Sequence, residues 1–545
     1  MRLGHHKPFT GHGQAPCMRS LVLLSLVMIA FAGCADEADP ADADGDGFSD
    51  AEERRQGTDP TDAGSFPGAV VDANGDGVVV VAVIDGGFNP YHLDMVGSMM
   101  PQHLNDDPAD DLPLERDPHT WIPGFPEPTS FASYNRIDLD LSYAADPDSI
   151  DTTLNSNDLR NADADAWSNV KGGSSADSAH YNYFPGTKVI GMVNTGGGNA
   201  FAASSHGVGT STVSVGNLHG TCPECLLVFV NNGGGEAAND WVMKQDWIDA
   251  QTNSYGYSTV MRDRMYAGSD TEAQRDAVTN GQAIFFSAGN GQGNTFTVPN
   301  PTLFSSQEGP DWIVTVGAID PAGKDSYMGH GKPADVASIG SGYPSGGYCD
   351  DTIACSGNFG GTSNATPVTA GMYAKALWEL RQNATVARPA DEHIVLGAGG
   401  SDLNLTAPML LDALFLAAEH KSTAWVAGIT GVPVPVQTAE MQFLSEGHGS
   451  FIGRLDGDAV WQAEVQAILD AALLGEGTMI DGEADWFAND SYCRQSVWGT
   501  WDHGAWDGSN EPGADPNWPV RTAIAESCPT VVKTVVDVEK IRDGA

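Results

Sequence analysis

Three side chains that together can cleave an acyl bond lie far apart in this 545-residue chain. The first, Ser363, lies in the glycine-rich stretch 361–371, where Ala, Thr and Pro lead into good helix formers. A serine at a helix N-terminus has its hydroxyl and its backbone N–H at the positive end of the helix dipole, which favours negative charge developing there. Pro367 suits the first turn of this predicted helix, where a missing N–H costs nothing. Such a serine attacks a carbonyl group only if a base removes its proton.

The chain also supplies a base and a carboxylate to orient it. Asp85 ends the apolar run 78–84, which predicts a buried parallel strand with a carboxylate at its carboxyl end. His206 precedes small residues that can begin a tightly packed helix. The order Asp85, His206, Ser363 is the order of the catalytic triad in subtilisin.

The three segments resemble those of the subtilisin-like serine proteases, whose pattern around the nucleophile is roughly G-T-S-M-A-T-P-H-V-A-G. The chain departs from that pattern at Asn364, Val368 and Thr369, which bears on substrate preference rather than on the nucleophile. A fourth segment, 283–290, has the pattern of a strand that runs into Ser-Ala-Gly-Asn. The resemblance implies that the side-chain amide of Asn290 donates to the oxyanion, as in the family.

The resemblance also implies where an extended substrate binds. The Ser-Tyr-Gly segment that begins at residue 254 is similar to the edge that pairs with substrate in the family, with main-chain hydrogen bonds giving affinity and side-chain pockets giving preference. The Ser-Ala-Gly residues before the oxyanion donor complete this predicted site. The residues implied are Ser254, Tyr255, Gly256, Ser287, Ala288 and Gly289.

Strands that alternate with helical stretches predict an α/β fold with a mainly parallel sheet covered on both faces. This is the three-layer fold that the resemblance implies. Val368, Met372, Ala376 and Leu380 recur at spacings of four and predict one buried helix face. Further strands are predicted at 188–193, 226–230 and 312–317, and further helices at 408–417 and 459–473.

We predict four regions: a signal peptide at 1–33, an acidic stalk at 34–70, the peptidase domain at 71–474 and a Trp-rich extension at 475–545. The domain carries an insertion at about 95–187, on the loop side of the sheet, which could cap the cleft, bind cations or merely be mobile. Many relatives have a folded inhibitory pro-domain, for which the stalk leaves no room. The extension could be an aromatic binding surface or a small lobe tied by a cystine.

The stalk contains a twelve-residue calcium loop. Oxygen ligands stand at positions 1, 3, 5 and 9, with glycine at 6 and glutamate at 12, and position 7 offers its backbone carbonyl. The following Gly-Thr-Asp-Pro resembles the short calcium repeats of bacterial surface proteins, which indicates a structural Ca²⁺ site; the alternative is an acidic linker. The predicted ligands are Asp42, Asp44, Asp46, Phe48, Asp50 and Glu53.

An apolar run at 21–32 has the length of a signal peptide and is too short to span a bilayer. It ends in small residues followed by Cys34, which resembles the cleavage site of a bacterial lipoprotein. We therefore expect lipidation of Cys34 and an anchor at the cell envelope, at the outer membrane or the cell surface. The alternative is a soluble secreted chain with an accidental cysteine.

Cysteine use also fits export. Beside Cys17 and the lipidated cysteine, six of the eight cysteines remain, and local spacing favours pairing of neighbours, although six cysteines allow 15 connectivities. The Cys-Pro-Glu-Cys segment could instead serve redox or zinc chemistry, but no second CxxC supports zinc. The predicted pairs are Cys222 with Cys225, Cys349 with Cys355, and Cys493 with Cys528.

A formal net charge of −46 opposes binding to nucleic acid or anionic lipid surfaces. The expected partner is a polypeptide substrate, the expected reaction is endopeptidase cleavage through an acyl-enzyme without a cofactor in the chemistry, and the expected state is a monomer. No HExxH or GxSxG motif supports a metalloprotease or a hydrolase of the GxSxG type. The alternative function is a surface binding protein that keeps the protease fold without turnover.

Overall fold

A ten-stranded sheet forms the centre of the protein in a computed structural model. The structure describes residues 43–44, 58–65, 68–71, 78–96, 116–144, 154–172, 175–196, 205–231, 236–255, 273–274, 277–278, 280–287, 289–290, 313–319, 336–347, 353–384, 405–418, 450–451, 453–454 and 458–473. The strands of the sheet, in spatial order, are β14 (Ser450–Phe451), β10 (Val336–Ile339), β9 (Ile313–Ile319), β8 (Ala283–Ser287), β7 (Ala250–Asn253), β2 (Val80–Asp85), β6 (Leu226–Asn231), β5 (Val189–Asn194), β4 (His180–Tyr183) and β3 (Ser133–Arg136).

Neighbouring strands of this sheet are parallel, except β4 and β5. The chain order reverses around β2, because β6 lies on one side of it and β7 on the other. In open α/β sheets, the carboxyl ends of the strands at such a switch point form the crevice where ligands bind. Outside this sheet, β1 (Ala69–Val71) pairs with β13 (Leu405–Thr406), and β11 (Tyr343–Gly346) pairs with β12 (Ser356–Phe359).

Helices cover both faces of the sheet, so the predicted three-layer α/β fold is confirmed. Strand β2 shows why: its alternate residues Val81 and Val83 belong to one apolar cluster with the helices Thr362–Ala384, Ala407–Ala417 and Asp458–Leu473. Val80, Ala82 and Ile84 belong to a second cluster with the helix Glu236–Met243. A strand buried on both faces reads as a continuous apolar run. The helices are α1 (Ser156–Ala162), α2 (Ala164–Trp167), α3 (Ser205–Val215), α4 (Glu236–Met243), α5 (Thr362–Ala384), α6 (Ala407–Ala417) and α7 (Asp458–Leu473).

The elements predicted from apolar patterns lie close to their predicted bounds. The helices predicted at 408–417 and 459–473 are α6 and α7, each longer by one residue at its N-terminus. The four residues at spacings of four on α5 are all buried. Short 3-10 helices occur at Leu93–Met95, Pro118–Thr120, Pro128–Ser130 and Ser142–Ala144.

The insertion predicted at about 95–187 extends the sheet. It contributes β3 and β4, which lie beyond β5 at one edge. Ile122 and Phe125 of the insertion are buried against the same face as α4. The ring of Tyr134 on β3 stacks on Tyr181 of β4 with a centroid distance of 5.5 Å. The insertion is therefore packed into the domain over much of its described length.

Arg381, near the end of α5, binds the backbone of the segment that precedes β2. Its Nε donates to the carbonyl oxygen of Val70 at 2.9 Å, and its guanidinium also donates to the carbonyl oxygen of Val78. Its Nη2 donates to Asp249 Oδ1 at 2.6 Å. Because Arg381 is only 6% exposed, the charge-assisted bonds form in an environment with little water.

The predicted signal peptide at 1–33 and the extension at 475–545 lie outside the described residues, and the predicted domain boundaries stay predictions. Over the residues that the structure does describe, we find no helix with the length and hydropathy to cross a membrane.

Candidate active site

Three neighbouring strands beside the switch point end at one edge of the sheet and bring several predicted site residues there. Strand β2 ends at Asp85, β7 leads directly into Ser254, and β8 ends at Ser287. The strands β2, β7 and β8 are parallel neighbours, so their carboxyl ends share one rim.

Asp85 and His206 form a hydrogen-bonded pair at this rim. Nδ1 of His206 donates to Asp85 Oδ2 at 2.8 Å and lies 3.0 Å from Oδ1. The carboxylate accepts two more bonds, from the backbone N–H of Gly86 at 2.6 Å and from Thr210 Oγ1 at 3.1 Å. The side chain of Asp85 is 6% exposed and that of His206 is 43% exposed. The carboxylate is thus fixed from several directions, and the imidazole faces solvent.

The pKa of His206 lies above its ordinary value of 6.5. Burial acts to lower this pKa, but the hydrogen bond and the negative charge of Asp85 outweigh burial. The edge of the Phe359 ring also contacts the imidazole, with ring centroids 5.2 Å apart. The pair with Asp85 leaves Nε2 as the ring nitrogen that can take a proton in the neutral imidazole.

Both ends of α3 are held in place. At its N-terminus, a side chain at Gly207 would place its Cβ 1.8 Å from the carbonyl oxygen of Gly87, so only glycine allows the helix to approach this loop. At its C-terminus, the buried ammonium of Lys188 donates to the carbonyl oxygen of Val215, and to that of Pro223 at 2.5 Å. Burial lowers the pKa of Lys188 to about 7. These contacts fix the helix that carries His206.

Ser363 is the second residue of the 23-residue helix α5, at the positive end of its dipole. Its hydroxyl donates to the carbonyl oxygen of Ser254 at 3.3 Å. Among the residues that the structure describes, the backbone N–H of Ser363 has no hydrogen-bond partner, and no hydrogen bond joins Ser363 to His206. Ser363 is therefore at the predicted helix terminus, with its hydroxyl bonded to the residue after β7 rather than to His206.

The expectation that Pro367 lies in the first turn of the helix is wrong. Helix α5 begins at Thr362, so Pro367 is its sixth residue and lies inside it. A residue there normally donates its N–H to the carbonyl four positions earlier, here that of Ser363, and proline has no N–H to give. The freed carbonyl accepts a hydrogen bond from Ser254 Oγ at 2.9 Å instead. Ser254 and Ser363 thus exchange two hydrogen bonds across the site.

Asn290, the predicted oxyanion donor, is held by the residue before the nucleophile. Its Oδ1 accepts hydrogen bonds from the backbone N–H and from the hydroxyl of Thr362, both at 2.9 Å. Because the amide oxygen is occupied, the NH₂ group is the part of the side chain left to donate elsewhere. Gly361, at φ +79°, allows this approach, since a Cβ there would lie 2.9 Å from the Asn290 amide.

Four of the six predicted substrate-binding residues are described, and they lie on the adjacent ends of β7 and β8. The Tyr255 hydroxyl donates to Asn253 Oδ1 at 3.0 Å and accepts from Asn239 Nδ2 at 2.8 Å. Its ring packs edge-on against Phe286. Ser287 Oγ donates to the carbonyl oxygen of Tyr255 at 3.4 Å. Tyr255 is therefore a fixed wall of this region. The remaining predicted residues, Gly256 and Ala288, lie outside the described residues.

Sequence reasoning missed three residues that shape the site: Thr210, Phe359 and Thr362. Thr362 stands in the Gly-Thr-Ser motif, and Thr210 lies four residues after His206, on the same helix face, so both had a local signal. Phe359 had none, because its contact with the imidazole depends on the β11–β12 hairpin folding back onto α3.

Most of the predicted calcium ligands, and Cys34, lie outside the described residues; of the six ligands only Asp44 is described. The described part of the chain contains no group of three or more His, Cys, Asp or Glu that could hold a metal ion. The sulfur atoms of Cys222 and Cys225 lie close together, and the disulfide expected from their spacing stays a prediction. The other two pairings stay predictions, because Cys349, Cys493 and Cys528 lie outside the description.

Two family models match parts of the chain. The model of the subtilase family, Peptidase_S8, matches residues 75–400, and that of the bacterial TSP3 repeat matches residues 42–63. No curated protein matches at a significant level. The solved structure of the prenylagaramide maturation protease PagA is similar at 12% identity and a TM-score of 0.37, over 72% of this chain and 95% of that chain.

Proposed function

The chain belongs to the subtilase family and is a serine peptidase, and we propose that it cleaves within polypeptides, outside the cytoplasm, with Asp85, His206 and Ser363 as its triad. The observation that carries the proposal is the hydrogen bond of 2.8 Å between Asp85 and His206, on the rim where α5 begins. An aspartate on Nδ1 selects the tautomer whose Nε2 can act as a base.

The first proposed step is the transfer of the Ser363 proton to Nε2 of His206 as Oγ attacks the substrate carbonyl. It requires the hydroxyl to leave the carbonyl oxygen of Ser254 and turn to the imidazole. In the absence of substrate, catalytic hydrogen bonds are often long, and they tighten in the substrate complex. Asp85 stabilises the imidazolium, which then gives its proton to the leaving amine. Water releases the acyl group from Ser363 by the same route.

The proposed oxyanion hole consists of the Asn290 amide and the N–H of Ser363. The support is the contact of the Asn290 oxygen with Thr362, which directs the NH₂ group away from Thr362, together with the N–H of Ser363, which has no partner among the described residues. Both groups are fixed before reaction, so they require no reorganisation when charge develops.

Substitution of Asn290 by Leu is expected to lower kcat by about 10²- to 10³-fold with little change in KM, because one donor to the oxyanion is lost. Steady-state kinetics with a fluorogenic peptide measure both constants. Thr362→Val, which removes one of the two bonds to the Asn290 oxygen, is expected to give a smaller loss. An unchanged kcat in Asn290→Leu removes Asn290 from the oxyanion hole.

We also propose that the stalk binds one structural Ca²⁺. Carboxylates at loop positions 1, 3, 5, 9 and 12 are hard oxygen donors of the kind that Ca²⁺ prefers, and the match to the bacterial TSP3 repeat covers the whole loop. The ion supplies no chemistry to the reaction.

Removal of calcium by EDTA is expected to lower the melting temperature of the full chain, since a ligand that binds only the folded state stabilises it. Differential scanning calorimetry measures the shift. In Glu53→Gln, which loses the bidentate ligand, EDTA is expected to have a smaller effect. Coincident melting curves with and without EDTA contradict the site.

For localisation, we propose a lipid anchor at Cys34 in the cell envelope. The support is the short apolar run at 21–32 and the small residues before the cysteine. Expression in bacteria with a labelled fatty acid is expected to label the chain and to leave Cys34→Ser unlabelled. Equal label in both chains is evidence against the anchor.

A further inference from the structure

The insertion is bound to the loop that follows Asp85 by buried polar contacts. This loop, residues 86–93, is called the acid loop. Asn89, which is 1% exposed, donates from Nδ2 to Ser156 Oγ at the start of α1 at 2.6 Å. Its Oδ1 accepts from the backbone N–H of Tyr91 at 3.1 Å. Ser156 is fully buried, so an unmade bond here leaves polar atoms without water, which is costly.

Tyr91 makes the second connection and is also fully buried. Its hydroxyl donates to Asp163 Oδ2 at 2.6 Å and accepts from Trp167 Nε1 at 2.8 Å. The carbonyl oxygen of Tyr91 accepts from the Tyr143 hydroxyl at 2.7 Å. Asp163, Trp167 and Tyr143 all belong to the insertion. Tyr91 therefore joins two segments of the insertion, residues 163–167 through its hydroxyl and Tyr143 through its backbone carbonyl oxygen.

The same cluster reaches the β11–β12 hairpin that precedes the nucleophile. The backbone N–H of Ile353 donates to the carbonyl oxygen of Leu154 in the insertion at 2.8 Å, and its own carbonyl oxygen accepts from Leu93 at 3.2 Å. Nε2 of His92 donates to the carbonyl oxygen of Cys355 at 2.8 Å. Ile353 packs with Tyr91 in one apolar cluster. The insertion, the acid loop and residues 353–355, which lead into β12, thus form one packed unit.

The acid loop in turn acts on the triad residues. Its first N–H, that of Gly86, holds Asp85 Oδ1 at 2.6 Å. The carbonyl oxygen of Gly87 in the acid loop lies so close to Gly207, the residue after His206, that no side chain fits at position 207. A shift of the loop by a few tenths of an ångström therefore changes both the carboxylate and the turn that carries the imidazole. On the other side, the hairpin places Phe359 against that imidazole.

From these contacts we propose that the insertion is a positioning element of the active site, which acts through Tyr91, Asn89 and the acid loop to hold Asp85 and His206 in working geometry. The inference rests on the proposed function of the triad. The sequence suggested that the insertion could cap the cleft, bind cations or merely be mobile. The proposal instead gives it an effect on the rate of catalysis. Enzymatic rates fall steeply when a reacting group is displaced even slightly, so a remote contact can affect kcat.

The test is Tyr91→Phe, which removes one hydroxyl and keeps the buried ring. We expect kcat to fall about tenfold and KM to stay within about twofold, because substrate contacts are unchanged while the base is misplaced. In the same variant, the pKa of His206, followed by NMR on histidine-labelled protein, is expected to move down toward 6.5. Asp85 is the one charged group among the described residues that raises this pKa.

Ser168→Ala is the matched control. Ser168 is exposed, and its hydroxyl donates to the carbonyl oxygen of Asp165 within the insertion at 2.6 Å, without contact to the acid loop. This variant is expected to keep the wild-type kcat and the wild-type pKa of His206. If Tyr91→Phe does not fold, Asp163→Asn gives a second test, because it keeps the shape of the acceptor but removes its charge.

All measurements are made well below the melting temperature of each variant, so that a loss of stability alone does not change kcat. A wild-type kcat and an unmoved His206 pKa in a folded Tyr91→Phe or Asp163→Asn overturn the proposal. The NMR titration needs no turnover, so it reports on positioning even if the wild-type chain does not hydrolyse peptides. Absent hydrolysis in the wild type counts against the proposed function, and the titration then decides the inference by itself.

Discussion

Replacement of Ser363 by Ala is expected to lower kcat for peptide hydrolysis by about a million-fold, while the fold and its melting temperature stay the same. The hydroxyl is the proposed nucleophile, and its bond to the carbonyl oxygen of Ser254, at 3.3 Å, is long and weak, so its removal costs little stability. Residual hydrolysis above the rate in water comes from the oxyanion donors and from substrate binding. Hydrolysis of a fluorogenic peptide by the purified chain measures the loss.

A fluorophosphonate probe gives an independent readout, because it reacts with an activated serine and not with an ordinary one. The wild-type chain is expected to be labelled and Ser363→Ala to stay unlabelled. Thr362→Ser is a suitable control, since it keeps the hydroxyl on the Asn290 oxygen and leaves the nucleophile in place. Undiminished turnover in Ser363→Ala refutes the assignment. A folded wild-type chain without label favours a silent binding protein.

Asp85→Asn is expected to lower kcat by about 10⁴-fold with the fold intact. The amide has the shape of the carboxylate, but its NH₂ group competes for Nδ1 and favours the tautomer that cannot accept the Ser363 proton on Nε2. The bond from Gly86 to Oδ1 can persist in the variant, so the loop need not move. Steady-state kinetics measure the loss, and circular dichroism checks the fold. A kcat within about tenfold of the wild type removes Asp85 from the mechanism.

The same carboxylate sets the pH dependence. Because Asp85 holds the pKa of His206 above 6.5, the wild-type kcat/KM is expected to rise with pH through a value above 6.5, as the imidazolium loses its proton and becomes a base. The contribution of His206 to the stability of the folded state changes with pH in the opposite direction. The raised pKa stabilises the folded state fully below 6.5, and this stabilisation is lost as the pH rises through the folded-state value.

The strands of the sheet were predictable because their signals are local, whereas the choice of Asp85, His206 and Ser363 as the triad came from their order and the family resemblance and stays a proposal. The apolar run before Asp85 is typical of a strand buried on both faces. The residues of the Gly-Thr-Ser segment and those after it are typical of a helix N-terminus. Parallel neighbours then bring such strand ends to one rim without further information. The role of Asn290, three residues beyond β8, came from the family resemblance and also stays a proposal.

The parts that could not be predicted depend on contacts between distant segments. The position of Pro367 inside α5 is tolerated because Ser254, from another strand, binds the carbonyl that proline leaves unpaired. The docking of the insertion through Tyr91 and Asp163 joins residues 72 positions apart. No periodicity or spacing in the chain indicates such a partner, so the prediction for the insertion stayed divided among three roles.

The hydrogen bonds of Arg381 resist a mechanical pull on the N-terminal segment. The backbone of the N-terminal segment is fastened to this side chain at Val70 and Val78, before the chain enters β2. A pull on that segment is therefore resisted by the pairing of β1 with β13 and by Arg381, which lies about 27 Å along the helix axis from Ser363. Under the proposed anchor at Cys34, tension on the N-terminal segment would reach these contacts before it reached the rim that carries the proposed triad.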